Sequence, residues 1–418
     1  MQMTATDGRW YGSMSARERR TFWSCFGGWA TDAMDVQIYS LLIPVLLSVG
    51  FLASNAQAGL IGTVTLLCSA VGGWAAGVLA DRYGRALMLQ VAVAWFSVFT
   101  LLCGVAQDFT QLLVFRGLMG FGFGGEWAVG AILMGETVRA RYRGRAVGTV
   151  QSGWAVGWAV AVGLFVLTQS LFPPETAWRV LFALGVLPAL GVFWIRRHVP
   201  EPDVFVRHAD RPAGRPSFLG IFRPDLLRTT VVCALLCTGA QGGYYSLTTF
   251  LPQFLHSARG LNLLGLGGTL LLVIVGAFAG YLFGAWLTDR LGRRPALVVC
   301  AVAAFVIVLP FTLLDLPTPV FTVLALPLGF VSSAYFSGLG AMLTEQYPTE
   351  LRGSGQGFCY NFGRGIGALF PLLVGIMADA ISIGVAIAVF AGIAYLVMAF
   401  CALLLPETRG AELTDAAA

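Results

Sequence analysis

The sequence contains no lysine; its 26 basic residues are all arginine. We read that as the coding bias of a GC-rich genome rather than as function. Charge of either sign is scarce, at 11% of the chain against about 25% for a soluble domain. A chain this poor in charge and 57% hydrophobic has lipid, not water, as its main solvent. Histidine is rare too, and His198, His208 and His256 fall in predicted loops, so no proton-transfer role is assigned to imidazole. No phosphate-cradling loop and no glycine-rich strand-to-helix turn is present, which excludes nucleotide-driven work; enzymatic groupings are absent as well. The eight cysteines all lie in predicted helices without a companion histidine, so neither a metal nor any other cofactor is expected. A short cleavable leader is not expected either, because the first apolar stretch is already a full span.

What is present is a series of long apolar runs. Each is long enough to cross a hydrocarbon core about 30 Å thick, and their continuity argues for helices rather than alternating barrel strands. Twelve spans are predicted: 22–47, 55–80, 87–106, 109–136, 146–170, 177–196, 227–255, 263–288, 295–314, 318–345, 355–378 and 382–405. Arginines crowd the even-numbered turns and the segment before span 1, while the alternate loops hold only Arg259, and Arg179 near the start of span 6. The positive-inside rule therefore puts both termini in the cytoplasm.

The chain repeats itself. The pattern D-R-x-G-R at Asp81–Arg85 returns at Asp289–Arg293, 208 residues later. Glu136, Arg143 and Gly144 map onto Glu345, Arg352 and Gly353 at an offset of 209. Pro44 and Pro252, late in spans 1 and 7, keep the same spacing. The expected organisation is a cytoplasmic segment 1–21, a six-helix bundle 22–196, a cytoplasmic linker 197–226, a second bundle 227–405 and a tail 406–418.

With R-x-x-x-G-x-G-x-G at Arg116–Gly124, these motifs resemble the major facilitator superfamily over essentially the whole chain. The stretch 116–158, with its G-G-E-W, is similar to the sialate:proton symporters and their monocarboxylate relatives. The Asp-x-x-Asp of span 1 resembles aromatic acid:proton symporters, and PETRG at 406–410 is similar to the closing motif of sugar porters. One departure stands out: Gly284 lies one residue further from its Asp than Gly77 does, which puts the packing of span 8 in question.

Few charges lie inside the predicted spans, and each needs a reason, because a mid-bilayer charge costs at least ~2.5 kcal/mol. Asp35 and Arg116 sit at similar depths in antiparallel spans 1 and 4, counting 1.5 Å per residue. They are the natural pair, and the resemblance implies a proton-sensitive one. A static ion pair that only fixes packing is the competing view. Asp32, one turn below, could relay the proton or cap a polar cluster. Glu126 could be a second proton site or part of a structural turn. Arg364 in YNFGRGIGALFP has no acid in its own span, and its planar fork suits a carboxylate. Tyr360 and Asn361 lie within a turn of it. Gln37, Tyr39, Gln151, Trp154, Gln241, Tyr244, Tyr245 and Tyr335 complete the candidate lining, since buried tyrosines and glutamines need partners that a ligand can supply.

At the arginine-rich end, Asp81, Arg82, Arg85, Glu136 and Arg143 of the first half, with Asp289, Arg290, Arg293, Glu345 and Arg352 of the second, form a candidate gate that latches in one state and releases in another. The expectation is an all-α, multi-pass protein of a bacterial inner membrane that acts as a monomer. It would import a small organic anion with a proton by alternating access, and no nucleic acid is expected as partner. A sugar or polyol symporter and a drug or metabolite exporter are the alternatives.

Overall fold

A computed structural model describes residues 11–137, 146, 149–187, 191, 218–348 and 351–409. Among them the helices, in chain order, are α1 (Ala16–Ser48), α2 (Asn55–Tyr83), α3 (Arg85–Gly104), α4 (Phe109–Thr137), α5 (Gly153–Leu171), α6 (Pro174–Leu184), α7 (Pro224–Ser257), α8 (Leu263–Leu291), α9 (Arg293–Leu313), α10 (Thr318–Ala334), α11 (Phe336–Glu345), α12 (Arg352–Gly367), α13 (Leu369–Ala380) and α14 (Ile383–Leu404). No strand occurs among the described residues. The pairs α10–α11 and α12–α13 are single spans interrupted at Tyr335 and Ala368, so the described helices make twelve spans, as predicted. Nine pass a length-and-hydropathy test for a membrane span among the described residues. The predicted linker, residues 197–226, lies outside the described part up to residue 217.

Local signals explain the ends. α1 begins at Ala16, earlier than hydropathy suggests, because Ser15 and Glu18 form a reciprocal capping box. Ser54, Asn262 and Ser382 cap α2, α8 and α14 with their side-chain oxygens. The D-R-x-G-R motif has a backbone reason: Gly84 and Gly292 turn α2 into α3 and α8 into α9 at φ 103° and 107°, a region closed to other residues without strain. The two halves thus carry the same corner at the same place.

Within each half, glycines let two spans touch backbone to backbone. A Cβ on Gly124 would lie 1.8 Å from the Ser69 carbonyl oxygen, and one on Gly72 would lie 1.9 Å from that of Phe121, which joins α4 to α2. The second half repeats this between α8 and α10, where a Cβ on Gly284 would lie 1.9 Å from the Ala334 oxygen. Span 8 therefore packs closely at Gly284 despite the shifted spacing. Between the halves, α2 meets α12 and α13, α5 meets α8, and α1 meets α7. Some of the candidate site residues, Arg364, Trp154 and Tyr244 among them, lie along those meetings.

Candidate functional site

Asp35 and Arg116 do meet. The Arg116 Nη1 lies 3.3 Å from Asp35 Oδ2, and the Thr100 hydroxyl of α3 donates to Asp35 Oδ1 at 2.8 Å. Arg116 is 1% exposed and its guanidinium also covers the Tyr39 ring, 4.9 Å from the centroid. The pair sits among α1, α3 and α4, inside the first bundle. Removing either partner would leave the other as an uncompensated charge in a dry interior.

Arg364 sits instead where the halves face each other. It lies one turn before the break at Ala368, whose N–H still bonds its carbonyl at 2.8 Å. Its Nη1 donates to the Ser69 hydroxyl of α2 at 3.3 Å. The guanidinium rests between the Phe123 ring of α4, at 5.3 Å, and the Tyr360 ring of its own helix, at 5.2 Å. It is 1% exposed. The buried Asp32 lies near enough for its charge to act on it, and the neutral Tyr245 phenol lies beside it. Two aromatic faces and a delocalised cation make a flat, polarised surface suited to a planar anion.

Around this centre runs an aromatic belt. Trp29 packs against Trp154 at a tilt of 50°, centroids 5.1 Å apart, and the Trp154 indole N–H donates to the Tyr244 hydroxyl at 2.6 Å, from one half to the other. Tyr245 donates to the Gln241 side chain at 3.4 Å, and Gln241 donates to the Tyr360 carbonyl at 2.9 Å. Asn361 gives its amide N–H to Gly357 at 2.9 Å, while its oxygen lies beside Gly73 of the other half. The buried amide nitrogen of Gln37 has no hydrogen-bond partner among the described residues. Two predicted lining tyrosines are committed elsewhere: Tyr335 donates to the Ala240 carbonyl at 2.9 Å and Tyr39 to that of Ala58 at 2.7 Å. Glu126 is buried in α4, and Gln151 is half-buried just before α5.

At the arginine-rich end, Arg293 grips Glu345 through Nε and Nη2 at 3.0 and 2.9 Å and reaches Asp289 at 3.3 Å. The tail joins in. Thr408 donates to Glu345, and the Glu407 carboxylate accepts the backbone N–H groups of Arg293 at 2.9 Å and Arg294 at 3.0 Å. Partial burial alone would push Glu407 up, but those backbone donors, with Arg409 and Thr408, hold it below the usual carboxylate range. Arg352 donates to the Thr344 carbonyl at 3.0 Å, and Arg290 lies over the Trp286 ring. The side chains of Asp81, Arg82, Arg85 and Glu136, and all of Arg143, lie outside the described residues.

Four contributors escape sequence reasoning: Trp29, Thr100, Ser69 and Phe123. A single serine, threonine or aromatic residue in a span carries no signal; only its neighbours in space distinguish it. Ser69 stands 295 residues from the arginine it bonds.

Two six-span halves that meet around a buried cation have the architecture of a membrane transport protein. The profile of the Major Facilitator Superfamily matches residues 25–367 and 281–418, and the chain belongs to that family. It is 42% identical over 404 residues to a probable 4-methylmuconolactone transporter of Cupriavidus pinatubonensis, covering 96% of this chain and 93% of the relative. It is 27% identical over 398 residues to the sialic acid transporter NanX of Escherichia coli, covering 95% of each. In fold it is similar to the xylose transporter XylE of E. coli in a partially occluded inward-open conformation, with a TM-score of 0.76, 16% identity, and coverage of 96% of this chain and 100% of that one.

Proposed function

We propose that this chain is a proton-coupled symporter that imports a small organic anion by alternating access across a bacterial inner membrane. The carrying observation is Arg364: a cation wedged between two aromatic rings at the junction of the halves, touching α2 on one side and rooted in α12 on the other. The substrate carboxylate would take the guanidinium fork, and the flat faces of Phe123 and Tyr360 would hold an unsaturated or aromatic body. That a relative is named for sialic acid supports an acid as cargo. Asp32 is the resident anion near Arg364 and yields to the arriving carboxylate. Asp35 takes the proton. Once neutral, it releases Arg116, and the bundle wall between α1 and α4 is free to shift; Glu126 is a second proton site on the same helix. Gln37, Gln241, Asn361, Tyr244 and Tyr245 offer polar contacts along the belt.

Uptake into proteoliposomes under an imposed pH gradient tests this reading. The panel is labelled lactate, sialate, benzoate and a neutral hexose. One acid should accumulate, an uncoupler should abolish accumulation, and Arg364→Ala should remove acid uptake. Uptake of the hexose alone, or of an acid with no effect of the gradient, would sink it.

A further inference from the structure

The two halves are sealed at the end opposite the Arg293–Glu345 cluster, and the seal has an unusual component. Asp379, in the last turn of α13, places one carboxylate oxygen 3.0 Å from the Asn55 backbone N–H and 2.8 Å from the Asn55 side-chain amide. Its other oxygen accepts the Ala56 N–H at 2.9 Å. Asn55 and Ala56 are the first two residues of α2. The first turn of a helix leaves its N–H groups without intrahelical partners and concentrates partial positive charge. Ser54 satisfies only the Gln57 N–H with its side chain. The two donors before it, on Asn55 and Ala56, are instead satisfied by a carboxylate from the second half.

Beneath this clamp the helices touch directly. The Thr63 hydroxyl donates to the Ala368 carbonyl at 2.6 Å and accepts the Leu372 N–H at 3.2 Å. A Cβ on Gly59 would lie 2.3 Å from the Pro371 oxygen, and one on Gly375 would lie 2.3 Å from the Asn55 oxygen. The seam from Asn55 to Thr63 is closed without a gap for a side chain.

We propose that Asp379 is a positioning residue of the transport cycle: its carboxylate latches this end shut by completing the cap of α2 that Ser54 leaves partial, a completion that exists only while the halves are together. Opening the end strips two N–H groups and an amide from their acceptor, so the local order of α2 is coupled to the state of the whole carrier. The inference needs two halves that part, which the family implies; it does not depend on the substrate or on proton coupling.

The experiment uses the purified full chain in lipid nanodiscs, where both ends meet solvent. Of the eight cysteines only Cys68 is half-exposed, so Cys68→Ser gives a quiet background. Thr63→Cys places a near-isosteric thiol in the seam. The rate of its labelling by a water-soluble maleimide reports opening. Asp379→Asn should raise that rate about two- to tenfold, the scale of one helix-end charge interaction in a two-state equilibrium. Asn55→Asp combined with Asp379→Ala puts a carboxylate on α2 and leaves nothing on α13 that can bridge to it. It should label at least as fast as Asp379→Asn alone. An unchanged rate in Asp379→Asn overturns the proposal. So does a return to the parent rate in the combined variant, which would mean that α2 needs only a cap and not a latch. Because labelling is read without substrate, failure here is distinguishable from failure of the transport assignment.

Discussion

Trp154 and Tyr244 join the two halves by a hydrogen bond of 2.6 Å between buried side chains. The indole can only donate, so the tyrosine oxygen is the acceptor. In the alternating-access cycle proposed above, a bond across this boundary contributes to one state and not to the other. Trp154→Phe and Tyr244→Phe should each change the KM for uptake by about two- to tenfold, the net worth of one buried hydrogen bond. The double variant should change it no further than the larger single. Additive changes would show that the two residues act apart.

Asp35→Asn fixes the neutral form of the carboxyl while keeping its size. Accumulation driven by a pH gradient should be lost, while exchange of labelled for unlabelled substrate across the membrane continues. The amide oxygen that replaces the carboxylate can still accept from Arg116 and Thr100, so this variant should fold. Arg116→Ala removes the partner outright and should cost up to about 3–5 kcal/mol, read as loss of the folded, monodisperse protein in detergent. If Asp35→Asn still accumulates substrate against the gradient, the pair is structural.

The α2–α4 seam predicts a sharp contrast between two glycines. Gly124→Ala would drive a Cβ to 1.8 Å from the Ser69 oxygen, against backbone that cannot yield, while a Cβ on Gly163 meets nothing within 4 Å. The first should cost at least the ~1–3 kcal/mol of overpacking and abolish the membrane-inserted yield. The second should be neutral or gain up to about 1 kcal/mol in thermal unfolding.

How much of this could be read in the sequence depends on whether the signal is local. Twelve spans were legible because lipid demands long apolar runs, and both Gly84 and Gly292 because a motif repeats. The Asp35–Arg116 pair was legible because depth along a helix can be counted. Arg364 stood out as a charge where none is cheap. The surroundings of Arg364 were not legible: Ser69 and Phe123 arrive from α2 and α4, which only the meeting of the halves decides. Nor did the text of the sequence foretell that Tyr335 and Tyr39 would spend their hydroxyls on Ala240 and Ala58. The interruption at Tyr335 carries no glycine or proline at that position to announce it.

The tail makes a prediction of its own. Glu407 titrates below its ordinary value because α9 supplies backbone donors to its charged form. A depressed carboxylate stabilises the fold above its unfolded pKa of about 4.3 and ceases to as pH falls through the lower, folded value. Glu407→Gln should therefore melt below the parent protein at pH 6–7, by a small margin because the group is exposed. That difference should shrink as the pH drops below about 4. A margin that stays constant down to pH 3 would show that packing of the tail, not charge, accounts for it.

Two arginines at the sealed end break the pattern that otherwise gathers arginine at the other. Arg179 gives Nη1 to the Gly104 and Ala106 carbonyls at 3.1 and 2.7 Å and lies over the Trp178 ring. Arg259 gives Nη2 to the Phe311 and Leu314 carbonyls and lies over the Phe321 ring. Ala106 and Leu314 stand 208 positions apart, at the same helix ends of the two halves. Each half thus anchors the exit of its third span with a cation, drawn from different places in the chain. Both charges face the negative pole of a helix rather than open solvent. In the folded chain these two arginines serve as helix-end clamps, so their charge is directed at carbonyls of the third span of each half instead of at the surface.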